Sequence, residues 1–215
     1  MTKAVLNSHV VSADVPVPGV PYSGYLWASN SPTYERARLG SDTVSSFDTT
    51  LDVATDYNAL GGNKYRIKRA FIQFVMPSNF VRCDGDPQLK IRCRSVISGN
   101  GRVSIVSADH TNLPNPITGW TGAIAWDAPY IDQTPNYAKL YYGTDTLRYY
   151  TFSVTSDYVT LNLVNNRYDK GTAGYHLARN DINSSNVFVV VLMQYTNDFL
   201  DTAPVSASRY LFDDA

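Results

Sequence analysis

The run Val187-Phe188-Val189-Val190-Val191-Leu192-Met193, extended to Tyr195, constrains this chain more than any other segment. Its β-branched and aromatic residues favour a strand, and their apolar character on both pleat faces requires cover on both sides. Left exposed, such a run would be an aggregation site. A fold that contains it needs a central strand between two layers of cover.

The rest of the composition agrees. Glu35 is the only glutamate among 215 residues, while Tyr, Thr, Ser, Asn, Asp and Val are abundant. Strong helix formers are depleted, so helices are expected to be few and short. One antiparallel all-β domain is predicted, a β-sandwich of the jelly-roll or Greek-key type, spanning residues 43–215. Turn signals between the strands support it.

Residues 1–42 read differently, as an extended, Pro-rich N-terminal arm. In Val15-Pro16-Val17-Pro18-Gly19-Val20-Pro21 each proline removes a ladder donor, so a regular central strand is not expected. The arm's candidate assembly residues are Pro16, Pro18, Pro21, Tyr22, Tyr25 and Trp27. They are expected to pack on the domain's own flank or on a neighbouring subunit.

Within the domain, Leu89, Ile91, Cys93 and Ile97 alternate with Lys90, Arg92 and Arg94, predicting a strand with one buried face and one wet basic stripe. Asn100-Gly101 follows, the dipeptide of a type I′ turn, and Val103 and Ile105 resume the alternation. A β-hairpin over 88–106 is predicted. Tyr65 to Met76 reads as a long strand, and Tyr150 to Val154, Val159 to Leu163 and Arg209 to Phe212 as shorter ones. Between them, residues 109–146 form a long Pro- and Gly-rich crossing. It carries the aromatics Trp120, Trp126, Tyr130, Tyr137, Tyr141 and Tyr142. These either fill space over the end of the sandwich or form an interface or glycan-stacking surface.

Catalytic fingerprints are missing. The histidines His9, His110 and His176 are far apart, and no nucleophile elbow, zinc helix, phosphate loop or dinucleotide motif is present. Asp84-Gly85-Asp86-Pro87 reads as a turn before it reads as a calcium loop. Cys83 and Cys93 read as two free half-buried thiols, with a single bridge as the alternative. No catalytic residue, metal or cofactor is therefore expected. The net charge of −1 and the absence of a basic arm argue against direct nucleic-acid binding. No stretch is apolar enough for a membrane helix, and nothing resembles a signal peptide.

The order of features resembles the jelly-roll domains of the DNRLRE type, found in phage structural proteins and on bacterial surface proteins. The resemblance runs through Arg69-Ala70-Phe71-Ile72-Gln73-Phe74, Trp126-Asp127-x-Pro129, Phe152-Ser153-Val154-Thr155 and Gly174-Tyr175-x-Leu177. Ala178-Arg179-Asn180-Asp181 faintly matches the naming motif. It implies a non-enzymatic virion protein, such as a phage head decoration or accessory protein, made in a host cytoplasm. Its partners would be other virion proteins or further copies of itself. The alternative is an extracellular carbohydrate-binding module or adhesin using the loop aromatics.

Overall fold

The computed structural model describes residues 5–6, 23–39, 43–47, 51–58, 64–75, 88–107, 149–162 and 187–214. The described strands are β1 (Val5–Leu6), β2 (Ser23–Ser31), β3 (Thr43–Phe47), β4 (Leu51–Asn58), β5 (Lys64–Val75) and β6 (Gln88–Ser98). They continue with β7 (Arg102–Ser107), β8 (Tyr150–Thr151), β9 (Val159–Asn162), β10 (Val187–Gln194) and β11 (Ser208–Asp214). The only regular helices among the described residues are α1 (Tyr34–Arg38) and a π-helical turn over Tyr195–Phe199. The protein is all-β. Among the described residues, every strand pair is antiparallel except β1 with β6.

All the described strands join one hydrogen-bonded network, and that network forks at β5. Residues Lys64 to Lys68 pair with β4, while Ala70 to Val75 pair with β10. Along Tyr65 to Ile72 the strand also pairs with β2, which carries β3 at its far side. One branch then runs β4, β11, β6 and β9, and the other runs β10, β7 and β8. The branches curl around a common core. Leu51, Val53, Ile91, Cys93, Tyr210 and Phe212 from the first meet Ile72, Val103, Ile105, Val190 and Leu192 from the second.

The Val-rich run is the second branch's inner strand. Val190 and Leu192 face the common core, and the alternate Val191 and Met193 are fully buried as well. Ile67, Phe71 and Val106 on the neighbouring strands are equally buried outside that cluster. Burial on both faces is what the apolar pattern requires.

Three expectations are corrected. First, residues 23–39 do not belong to an extended arm. Tyr25 and Trp27 lie on β2, paired through β5 and β3, and the Tyr25 side chain packs against the core. The first forty-two residues carry few charges and several aromatics, which suits a strand as well as a docking arm. Second, β6 and β7 do not pair as a hairpin. β6 pairs with β11, β9 and β1, and β7 with β10 and β8, so Gly99-Asn100-Gly101 is an arch crossing between branches. A type I′ turn needs positive φ at both central residues. Here Gly99 (φ 93) and Gly101 (φ 71) take it, and Asn100 instead accepts a hydrogen bond from the Arg102 amide at 3.1 Å. Third, Ile97 is 55% exposed. Pairing with β11 slips twice, skipping Arg94 and Ile97, and these bulges transfer the inward position to Val96.

Candidate functional site

The expected site residues fare unequally. Pro16, Pro18, Pro21 and Tyr22 lie outside the described residues, as do Trp120, Trp126, Tyr130, Tyr137, Tyr141, Tyr142 and Cys83. Where that aromatic crossing rejoins the sheet, the rings pack on one another. Tyr149 lies 4.3 Å from Tyr195 with Arg102 against its face, and Phe152 lies 4.6 Å from Tyr150 and 4.8 Å from Phe212.

The basic stripe is present on β6 but partly neutralised. Lys90 is exposed. Arg92 donates from Nε at 2.9 Å and also from Nη2 to Asp213 Oδ2, and its guanidinium lies 5.3 Å from the Tyr158 ring. Arg94 approaches the other oxygen of Asp213 at 3.6 Å. The hydrogen bond to Asp213 raises the Arg92 pKa. Cys93 is free and fully buried, not half-buried. Burial pushes its thiol pKa up, so the nucleophilic thiolate is disfavoured.

Two polar clusters that the local sequence pattern does not announce organise the fold. One sits at the fork. Asp52, between Leu51 and Val53 in sequence, is 1% exposed. Its Oδ2 accepts from Lys68 Nζ at 2.5 Å and from Arg209 Nη2 at 2.9 Å, and Arg209 Nε adds a contact to Oδ1 at 3.1 Å. The carboxylate thereby ties β4 to β5 and β11 beside the point where β4 and β5 part. Tyr25 places its ring 4.6 Å from the Lys68 ammonium. Burial first, and then the Asp52 charge, raise the Tyr25 hydroxyl pKa.

The second cluster lies between α1, β5 and the π-helical turn. Arg69 and Asp198 form a bidentate pair, Nε to Oδ2 at 2.8 Å and Nη2 to Oδ1 at 2.7 Å. Both side chains are buried, 1% and 0% exposed. Arg69 Nη2 also donates to the Arg38 carbonyl at 3.1 Å, and Arg38 Nε returns a bond to the Asp198 carbonyl at 3.0 Å. Tyr34 donates to the Asn197 carbonyl, and Thr55 donates to Asn197 Oδ1 at 3.1 Å. The Asn197 amide reaches the Thr202 carbonyl at 2.7 Å, and its backbone N–H is held by Gln194. Burial, then the Asp198 charge, raise the Tyr34 hydroxyl pKa well above its ordinary value of 10.0.

The short helix is seated by this network. Thr33 caps it, accepting from the Arg36 amide at 3.3 Å, and Ala37 turns its methyl into the protein. In chemical terms the cluster is an array of buried acceptors, each engaged by a donor from another element. Both oxygens of Asp198 are occupied by one guanidinium, which leaves no carboxylate oxygen aimed at an outside ligand. Among the described residues, no group of three His, Cys, Asp or Glu side chains is placed to hold a metal ion. No described helix is long and apolar enough to cross a membrane.

A charged residue inside an apolar strand was the available signal. Asp52 interrupts Leu51 and Val53, and Arg69 precedes Ala70-Phe71-Ile72. Both positions demand a distant counter-charge, although neither names it. In comparisons with known proteins, no family model, no curated protein and no solved structure matches this chain.

Proposed function

We propose that this chain is a non-enzymatic structural protein of a virion, a phage head decoration or accessory component that acts through protein–protein assembly. The observation that supports this reading is the use made of buried charge. Asp52 and Asp198 are each buried and paired with basic side chains that join separate elements. Groups so engaged rivet strands together, and a general acid or base would need a free oxygen facing substrate.

Two further features accord with it. The resemblance to DNRLRE-type jelly rolls implies a virion or surface role, and the β6–β7 arch passes between two branches as strands do in a jelly-roll sandwich. A sheet buried on both faces at its centre suits a rigid building block.

The test combines sedimentation velocity of the purified protein with co-sedimentation on phage capsids lacking it. Self-association or capsid binding is expected. A strict monomer that leaves every capsid unbound would overturn the proposal. Binding on a glycan array, lost on Trp120→Ala or Trp126→Ala, would replace it with the adhesin reading.

A further inference from the structure

The arch between the two branches contains the only Asn-Gly dipeptide of the sequence, Asn100-Gly101. An asparagine side-chain amide can be attacked by the backbone nitrogen of the residue that follows it. The attack is least hindered where that residue is glycine, which has no Cβ. Asn100 is exposed, and it lies between β6 and β7 in neither strand. By residue type and by access to water, this asparagine is set up to react with its own backbone.

The surrounding contacts oppose that reaction. The Gly101 carbonyl accepts from the Phe152 amide at 2.8 Å, and Gly101 is buried at a φ of 71. Asn100 Oδ1 accepts from the Arg102 amide at 3.1 Å and lies 3.5 Å from the Tyr210 hydroxyl. Gly99 packs so closely on the same hydroxyl that an added Cβ would lie 2.5 Å from it. Tyr210 comes from β11 of one branch, and Phe152 follows β8 of the other. Each branch therefore holds one of the two reacting groups. Closing the ring requires the Asn100 side chain and the Asn100–Gly101 peptide to rotate toward each other, and these bonds resist the rotation.

We infer that Asn100 is a self-modification site gated by the arch, deamidating through a cyclic imide when the arch opens and protected while it is closed. In the first step the Gly101 nitrogen gives its proton to solvent and bonds to Asn100 Cγ, and the side-chain nitrogen leaves as ammonia. In the second step water adds to one of the two imide carbonyls and one C–N bond breaks. Addition at Cγ leaves an aspartate, and addition at the backbone carbonyl leaves an isoaspartate, whose main chain runs through the former side chain. Nothing is oxidised or reduced, and the net change is one water consumed and one ammonia released. Closing the arch again does not restore the amide. The modified fraction of a population thus records how long its arches have stood open.

The test follows the purified chain in mildly alkaline buffer, native and unfolded in guanidinium, with mass spectrometry of the proteolytic peptide that spans Asn100. A gain of about one mass unit at Asn100 is expected, divided between chromatographically distinct aspartyl and isoaspartyl forms. It should accumulate at least about tenfold faster in the unfolded chain than in the native protein, where it waits on local opening of the arch. Absence of native product beside rapid reaction in guanidinium agrees with a closed gate. Equal rates in the two states, or a faster native reaction, would overturn the gate. An unfolded chain in which Asn100 stays intact, or in which another asparagine reacts sooner, would overturn the site itself.

Discussion

Replacing Asp198 by alanine tests the strongest electrostatic commitment in the fold. Arg69 would keep its place at 1% exposure but lose both charge-assisted hydrogen bonds to Asp198. The bond from its Nη2 to the Arg38 carbonyl, at 3.1 Å, offers a neutral acceptor in place of a counter-charge. Removing one partner of a buried pair costs about 3–5 kcal/mol, because the other charge loses its bidentate counter-ion in a poorly solvated site. Against a domain stability of roughly 5–15 kcal/mol, that is a large fraction of the total. With a urea m-value of about 2–3 kcal/mol/M, the unfolding midpoint should fall by about 1–2.5 M. Fluorescence-monitored urea unfolding measures it. The companion is the double variant Arg69→Met/Asp198→Leu, which removes both charges and retains apolar bulk. It should recover most of the loss, since a well-packed apolar replacement of a buried pair is often neutral or better. A cost below about 1 kcal/mol for Asp198→Ala, or a double variant no more stable than the single one, would refute the reasoning.

Other outcomes follow from the same geometry. A Cβ on Gly101 would lie 2.1 Å from the Phe152 carbonyl oxygen at a φ of 71, so Gly101→Ala should cost at least about 2 kcal/mol by urea unfolding. A neutral effect would mean that the arch is not built as described. In a Cys83→Ser background, the Cys93 thiol should resist aromatic disulfide reagents in the native protein and react fully in guanidinium, since it is buried and its pKa is raised. Rapid native labelling would contradict its burial. For Tyr34 the raised native pKa means that the unfolded chain loses its phenolic proton first, from about pH 10 upward. The unfolded state then binds fewer protons, so this contribution is fully present below pH 10 and shrinks as pH rises above it. Tyr34→Phe should flatten the alkaline slope of stability in pH-dependent urea unfolding, and an unchanged slope would exclude Tyr34 as its source.

Local periodicity made some of this fold legible. Alternation identified Leu89, Ile91 and Cys93 as an inward face, and the unbroken run around Val190 to Met193 announced burial on both sides. The long strand expected at Tyr65 to Met76 forms as β5. Such patterns report how one strand meets apolar surroundings, and they are silent on which strand lies beside it. Asn100-Gly101 signals a turn equally well whether its flanking strands pair or diverge, so the arch reads locally as a hairpin. The bulges at Arg94 and Ile97 depend on β11, more than a hundred residues downstream, and nothing near Ile97 marks the change of phase. The polar clusters are non-local in the same way: Arg69 and Asp198 are 129 positions apart. Their charges inside apolar stretches implied distant partners without giving their identity.

The fork at β5 has a dynamic consequence. Because Lys64 to Lys68 hold one branch and Ala70 to Val75 the other, neither branch can peel away while this strand keeps all its ladder bonds. Amide exchange from the middle of β5 should therefore need the global opening of the molecule, with exchange from β3, β8 and β9 proceeding through smaller, local openings. The strand works as a hinge pin for both leaves. Its late release would make loss of the two branches a single event, so unfolding followed on either leaf should trace the same curve.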